Sequence, residues 1–169
     1  MRKSIRTLTL SALTLAASLA AGSAQAQFID DWQHVATACT PSNLPALNLV
    51  QFNVGGGFIR ANNPNAGTVH YTCNVLDSFN SPMPTWSYMT LQYRDAAGAR
   101  VVATLYAKNK ANGVTAALAS AVSPASAGVN NVTVNVPPMN FALFGYYVVI
   151  SITSSANNPP QAHMVSLHQ

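Results

Sequence analysis

The chain has 169 residues, of which 49% are hydrophobic and only 7% charged, with two cysteines and a formal charge of +4. That balance excludes a disordered tail, which lacks apolar residues, and a disulfide-knit miniprotein, which needs more cysteine. The length suits one domain and leaves little room for a second.

The chain opens with a basic cluster, Arg2, Lys3 and Arg6, followed by an apolar stretch over residues 8–21 and the small residues of Ala24-Gln25-Ala26. This is the pattern of a secretory signal peptide over residues 1–26, cleaved before Gln27. The apolar run is too short and too rich in Ser and Thr to remain as a membrane span. Residues 27–169 are therefore expected to be secreted or periplasmic in a bacterium, with no integral membrane segment. They hold five cations (Arg60, Arg94, Arg100, Lys108 and Lys110) against four Asp (Asp30, Asp31, Asp77 and Asp95), and no Glu. Five scattered cations make no positive face for phosphate, so nucleic acid is rejected as a partner.

Residues 27–41 read as an N-terminal arm, and 42–169 as a single β-sandwich domain. Cys39, near the end of the arm, and Cys73 are the only thiols. In an oxidising compartment an even pair most simply forms one disulfide, closing a loop of about 35 residues for roughly 3 kcal/mol. A redox-active pair would have the close C-x-x-C spacing, which is absent.

Period-two alternation then dominates. Val69, Tyr71, Cys73 and Val75 form one apolar series; Met89, Leu91 and Tyr93 another; Val101, Ala103, Leu105 and Ala107 a third. Val132, Val134 and Val136 alternate with Asn and Thr, and Tyr146, Val148, Ile150 and Ile152 make a fifth series. Such spacing turns one apolar face inward and one polar face outward, as antiparallel sheets require. Weaker strands are expected at 47–54, 58–61 and 162–167. Between the runs stand Gly55-Gly56-Gly57, Asn62-Asn63-Pro64-Asn65, Asn112-Gly113, Pro137-Pro138 and Asn157-Asn158-Pro159-Pro160, which read as turns. The link from Tyr93 through Asp95 and Gly98 to Val101 reads as a tight hairpin. Residues 114–122 are Ala-rich and fit either a short helix or a strand, with the flanking strands favouring a strand. The expected fold is all-β: a two-sheet antiparallel β-sandwich, jelly-roll or immunoglobulin-like, of about eight or nine strands.

Catalytic spacing is missing. There is no G-x-S-x-G elbow, and His34, His70, His163 and His168 show no H-E-x-x-H or comparable ligand spacing. Asp77 and Asp95 fall at strand ends, where turn formation is their ordinary use. No catalytic residue, metal site or cofactor is expected, and an enzyme is the less favoured reading. Strand parity does place Trp86 and Tyr88 opposite the core-facing Met89, Leu91 and Tyr93, and it turns Tyr106 and Tyr147 outward. Outward aromatics stack on sugar rings or anchor a protein contact, so these four are the candidate ligand-binding residues.

Ala38-Cys39-Thr40-Pro41, residues 69–75 with Cys73, residues 86–93 and Gly145-Tyr146-Tyr147-Val148 resemble a group of small secreted bacterial proteins. Its members share an early cysteine followed by Pro, a second cysteine on a strand, and a Tyr-Tyr-rich C-terminal strand. The resemblance covers most of residues 27–169 and implies export, the disulfide and an all-β fold. That group has no assigned activity and contributes no catalytic residue. Chaperone–usher pilins fit less well: the penultimate residue is His168 rather than Tyr, and 156–169 lacks Gly.

The resulting expectation is an exported, non-catalytic binding or structural protein that takes glycan through Trp86, Tyr88, Tyr106 and Tyr147. The alternatives are a self-assembling or partner-docking surface protein, and a hydrolase whose Asp and His are brought together by the fold.

Overall fold

A computed structural model describes residues 31–42, 50–53, 56–61, 67–76, 83–155 and 157–169. The signal peptide expected over 1–26, Asp30, Asp77 and the turn expected at Asn62-Asn63-Pro64-Asn65 lie outside these residues, as does part of the strand expected over 47–54.

The described residues form eleven strands: β1 (Trp32–Val35), β2 (Thr40–Pro41), β3 (Val50–Asn53), β4 (Phe58–Ala61), β5 (Thr68–Val75), β6 (Tyr88–Asp95), β7 (Val101–Asn109), β8 (Thr115–Val122), β9 (Ser126–Asn135), β10 (Phe144–Thr153) and β11 (Gln161–His168). One 3-10 turn, η1 (Ala36–Ala38), separates β1 from β2. Sheet A runs β3-β4-β11-β6-β9, with β1 also paired to β11; sheet B runs β2-β5-β10-β7-β8. Every pairing is antiparallel. From β5 onward the chain changes sheet at every connection except the β7–β8 hairpin. The eight strands β4 to β11 thus wrap as a jelly roll, β4-β11-β6-β9 facing β5-β10-β7-β8.

The alternation read from the sequence is the alternation of burial. Val69, Tyr71, Cys73 and Val75 on β5, Met89, Leu91 and Tyr93 on β6, Val101, Ala103, Leu105 and Ala107 on β7, and Tyr146, Val148, Ile150 and Ile152 on β10 all point between the sheets. The strand β11 keeps Ala162, Val165 and Leu167 in the core although these positions are not evenly spaced. A register shift between Ala162 and Met164 inserts the extra residue, His163, and restores the inward face.

Two expectations are corrected. First, residues 32–41 are woven into the body: β1 joins sheet A, β2 joins sheet B, and Trp32, Ala36 and Cys39 are buried in the core. These two short strands raise the count above the expected eight or nine. Second, the link from β6 to β7 is an arch between sheets and not a hairpin, because β6 pairs with β11 and β9, whereas β7 pairs with β10 and β8. Alternation specifies an extended segment with one apolar side, but it does not choose its neighbours. Of the two arrangements expected, jelly-roll or immunoglobulin-like, the strand order is that of the jelly roll. The Ala-rich segment is the strand β8, and pairing along β7 overrides its helix propensity.

The arch has its own chemistry. Asp95 is buried; its Oδ2 accepts from the Arg100 N–H (2.8 Å) and from Ser123 Oγ (2.7 Å), and its Oδ1 accepts from the Ala97 N–H (3.3 Å). Ser123 Oγ in turn accepts from the Val101 N–H at 3.1 Å. Gly98 takes φ +79°, and a Cβ there would stand 2.9 Å from the backbone nitrogen of Ala125, so the tight approach of the two turns needs glycine.

The expected disulfide is present. Cys39 and Cys73 are joined with a Cα–Cα distance of 4.5 Å, and the bond ties the end of η1 to the centre of β5. No helix among the described residues is long and apolar enough to cross a membrane.

Candidate functional site

The four sequence-selected aromatics part company. Trp86 is 2% exposed and packs edge-on against Phe141 with ring centroids 6.3 Å apart, so it belongs to the core and not to a ligand surface. Parity fails because Trp86 precedes β6. Its segment is held instead by Ser87 N–H to the His168 carbonyl and Val136 N–H to the Ser87 carbonyl, both 2.9 Å. Tyr88 is 41% exposed on the outer side of sheet A, where it stacks on its cross-strand neighbour His168 at 5.8 Å. Tyr106 on β7 and Tyr147 on β10 stand directly opposite each other on the outer side of sheet B. Their rings stack at 5.3 Å with an interplanar angle of 14°. Tyr88 and this pair lie on opposite faces of the sandwich and cannot touch one ligand together.

The face around the tyrosine pair is built by register. Asn74, Tyr147, Tyr106 and Ala117 form one row across β5, β10, β7 and β8, and Thr72, Val149, Thr104 and Ser120 form the next. Hydroxyls tie the rows' edges: Thr104 Oγ1 lies 2.6 Å from Ser120 Oγ, and Thr72 Oγ1 lies 2.7 Å from Ser42 Oγ. His70 Nδ1 meets Ser151 Oγ at 2.8 Å. Both rings are half-buried, held upright by one another and flanked by the small residues Gly145 and Ala117. The result is an aromatic step, a stacked pair whose rings each turn one face to the other, beside amide and hydroxyl groups, with Lys108 the one charged residue in the adjoining row. Such a surface suits a polyhydroxylated ring with an apolar face.

A second feature went unread in the sequence, where Pro137-Pro138 served only as punctuation. At the end of the sandwich where β7 ends and β10 begins, a cavity of about 370 Å³ lies between Val114, Leu118, Pro137, Pro138, Phe144 and Tyr146, with Asn109 and Asn112 at its rim. Pro138 also borders a second hollow of about 370 Å³ above Trp86, lined by Met83, Pro84 and Met139. Tyr146 is fixed in this wall because its Oη accepts from the Asn140 N–H at 2.7 Å, and Lys110 Nζ donates to the Phe141 carbonyl at 2.6 Å. The pocket forms where the β7–β8 turn and the start of β8 meet Pro137-Pro138 and the first residues of β10, and sequence spacing carries no sign that these segments meet.

Titratable groups do not assemble into an acid–base pair among the described residues. Asp31 is exposed, and Asp95 is committed to the arch. His70 bonds a serine, and His168 Nε2 lies 2.8 Å from Thr90 Oγ1. His163 stands beside Phe58 with a buried Nε2 that has no hydrogen-bond partner; burial first, and then Arg94, lowers its pKa from 6.5. His34 Nδ1 lies 3.6 Å from Cys39 Sγ, and His34, Cys39 and Cys73 place their ligand atoms within 4.8 Å of one another. Both sulfurs are spent in the disulfide, so this cluster lacks the thiolates a soft metal ion needs. Burial pushes the Tyr71 hydroxyl up to about 12, and burial with the Asp95 charge raises that of Tyr93.

No family model and no curated protein matches this sequence. Among solved structures, the chain is similar to a family 6 carbohydrate-binding module from Clostridium stercorarium in complex with cellobiose, at 10% identity and a TM-score of 0.52, covering 82% of this chain and 93% of that one. It is similar to another family 6 module, solved to dissect its binding sub-sites, at 11% identity and a TM-score of 0.50, with 82% and 93% covered. An isomalto-dextranase of Arthrobacter globiformis complexed with panose matches at 14% identity and a TM-score of 0.52, over 82% of this chain but 23% of its own. At such identities the likeness is one of fold: a two-sheet antiparallel sandwich.

Proposed function

We propose that the protein is an exported, non-catalytic glycan-binding module, cleaved after residue 26, whose sugar lies on the Tyr106–Tyr147 step of sheet B. The observation that carries this reading is the in-register, half-buried tyrosine stack on a face of hydroxyl and amide groups. Two parallel rings offer an apolar surface with little rotamer freedom left to lose, and the neighbouring Thr, Ser and Asn side chains exchange hydrogen bonds with sugar hydroxyls. The fold supports the reading, since the similar structures above include carbohydrate-binding modules, one of them solved with cellobiose. The disulfide supports an oxidising compartment. Among the four sequence-selected residues, Tyr106 and Tyr147 remain in the proposed site, while Tyr88 faces away and Trp86 is buried.

A second placement has one observation in its favour: the cavity between Leu118, Pro138, Phe144 and Tyr146 is concave, as binding sites for single sugars or small ligands tend to be. A glycan array followed by titration calorimetry separates the two. Tyr106→Ala with Tyr147→Ala is expected to weaken binding about tenfold or more, the equivalent of about 1.4 kcal/mol, without altering the circular dichroism. Binding that survives this pair but is lost in Phe144→Ala moves the site to the cavity. An array with no retained glycan overturns both.

A further inference from the structure

The outer strands of the two sheets are unequal in a way that the glycan reading does not use. On one side of the sandwich the sheets end in short pieces: β2 has two residues and includes Pro41, and β3 has four. On the other side they end in β8, with eight residues, and β9, with ten; among the described residues β8 pairs only with β7, and β9 only with β6. Long exposed edges are ordinarily blunted by Lys, Pro or inward charges, because their free N–H and C=O groups template pairing with another chain. Here no Lys, Arg, Asp or Glu occurs anywhere after Lys110, and β9 contains no Pro. The core is also partly open here. Leu118 and Ala119 on β8 and Val132 and Val134 on β9 are only partly covered, and Val122 and Val129 are 45% and 56% exposed.

We infer that the β8–β9 side is an interface between two copies of this chain. β8 and β9 carry no charged residue of their own, and the Arg94 side chain reaches over from β6 to the Ala127 carbonyl at 2.9 Å. Such a side has little with which to steer a charged partner and meets a copy of itself with little repulsion. A two-fold axis perpendicular to the sheets sets β9 antiparallel to its own counterpart and β8 to its own, so that both sheets continue across the contact. A ten-residue strand is roughly 33 Å long and the sheets stand roughly 10 Å apart, which with side chains makes a side of about 600 Å² per copy. That is close to the roughly 800 Å² per partner of a stable complex. Three side chains occupy backbone groups of β9 and oppose pairing: Asn130 Oδ1 accepts from the Asn131 N–H at 2.9 Å, Arg94 Nε donates to the Ala127 carbonyl at 2.9 Å and Ser126 Oγ to the Gly128 carbonyl at 3.0 Å, and any that face the partner must swing aside. The inference is independent of where, or whether, a glycan binds.

Sedimentation velocity of the full exported chain over a concentration series tests it. The expected result is a rise to about twice the monomer mass, abolished by Val129→Lys with Asn131→Lys and unaffected by Leu143→Lys at the sandwich end. If that double variant fails to fold, Val122→Lys on β8 serves, with the same expected loss. A wild-type chain that stays monomeric at ~1 mM overturns the inference. So does a dimer that survives the edge lysines, or one broken by Leu143→Lys instead.

Discussion

His163 shows how one misfit side chain sets a pH response. It occupies the bulge of β11, with its Nε2 buried and unpaired beside Phe58, and Arg94 adds a second reason for it to stay neutral. Its folded-state pKa lies below 6.5, so in the interval between that folded value and 6.5 the unfolded chain binds more protons than the folded one. The contribution to stability is therefore complete above 6.5 and is lost as pH falls through the folded value. Denaturant unfolding at about pH 7.5 and about pH 5.5 is expected to show a smaller loss of stability in His163→Phe than in the wild type. An equal loss in both would mean that the imidazole is protonated as readily inside the fold as outside. The residue scale was only partly legible in the sequence: the even spacing of Val132, Val134 and Val136 announces a strand, whereas nothing in Ala162-His163-Met164 announces a bulge.

At the scale of elements, the arch from β6 to β7 decides the topology, and Asp95 holds the arch. Its carboxylate receives two backbone N–H groups and the Ser123 hydroxyl, which connects the β6–β7 turn to the end of β8. Asp95→Ala takes the acceptor away from the buried Ser123 hydroxyl and from two part-buried N–H groups, and equilibrium unfolding is expected to show a loss of about 2–3 kcal/mol. A loss below ~0.5 kcal/mol would show that water replaces the carboxylate. Asp95 as a turn former was legible, because a short acidic side chain at a strand end bonds nearby backbone N–H groups. That the turn crosses between sheets was not, since the same Asp-x-x-Gly pattern closes hairpins. Trp86 failed for a related reason: parity holds only inside a strand, and it stands two residues before one.

At the scale of the whole molecule, the N-terminal segment acts as a clasp. β1 lies beside β11 in sheet A, and β2 beside β5 in sheet B; the disulfide fastens the short link between them. The bond spans 34 positions in sequence, and replacing both cysteines by Ser is expected to cost roughly 3 kcal/mol in thermal or denaturant unfolding, provided the wild type is kept oxidised. A double variant as stable as the wild type would mean that strand pairing alone holds the clasp. If the tyrosine step binds glycan and β8–β9 joins two copies, the two-fold axis leaves both steps on the same broad face. Two weak sites then act on one polymer with the gain of a tethered second contact.

The sequence by itself determined the periodicity: which side of each strand is apolar, that the fold is all-β, and that the two cysteines have only each other. These follow from local properties, because side chains alternate along an extended backbone whatever lies beside it. Only the tertiary structure decided which strands are neighbours. It thereby brought Tyr106 against Tyr147, sent Tyr88 to the opposite face, enclosed Trp86 and set Val114 and Leu118 across a cavity from Pro138, Phe144 and Tyr146. Those outcomes depend on contacts between residues far apart in the chain, and no spacing along a single strand records them.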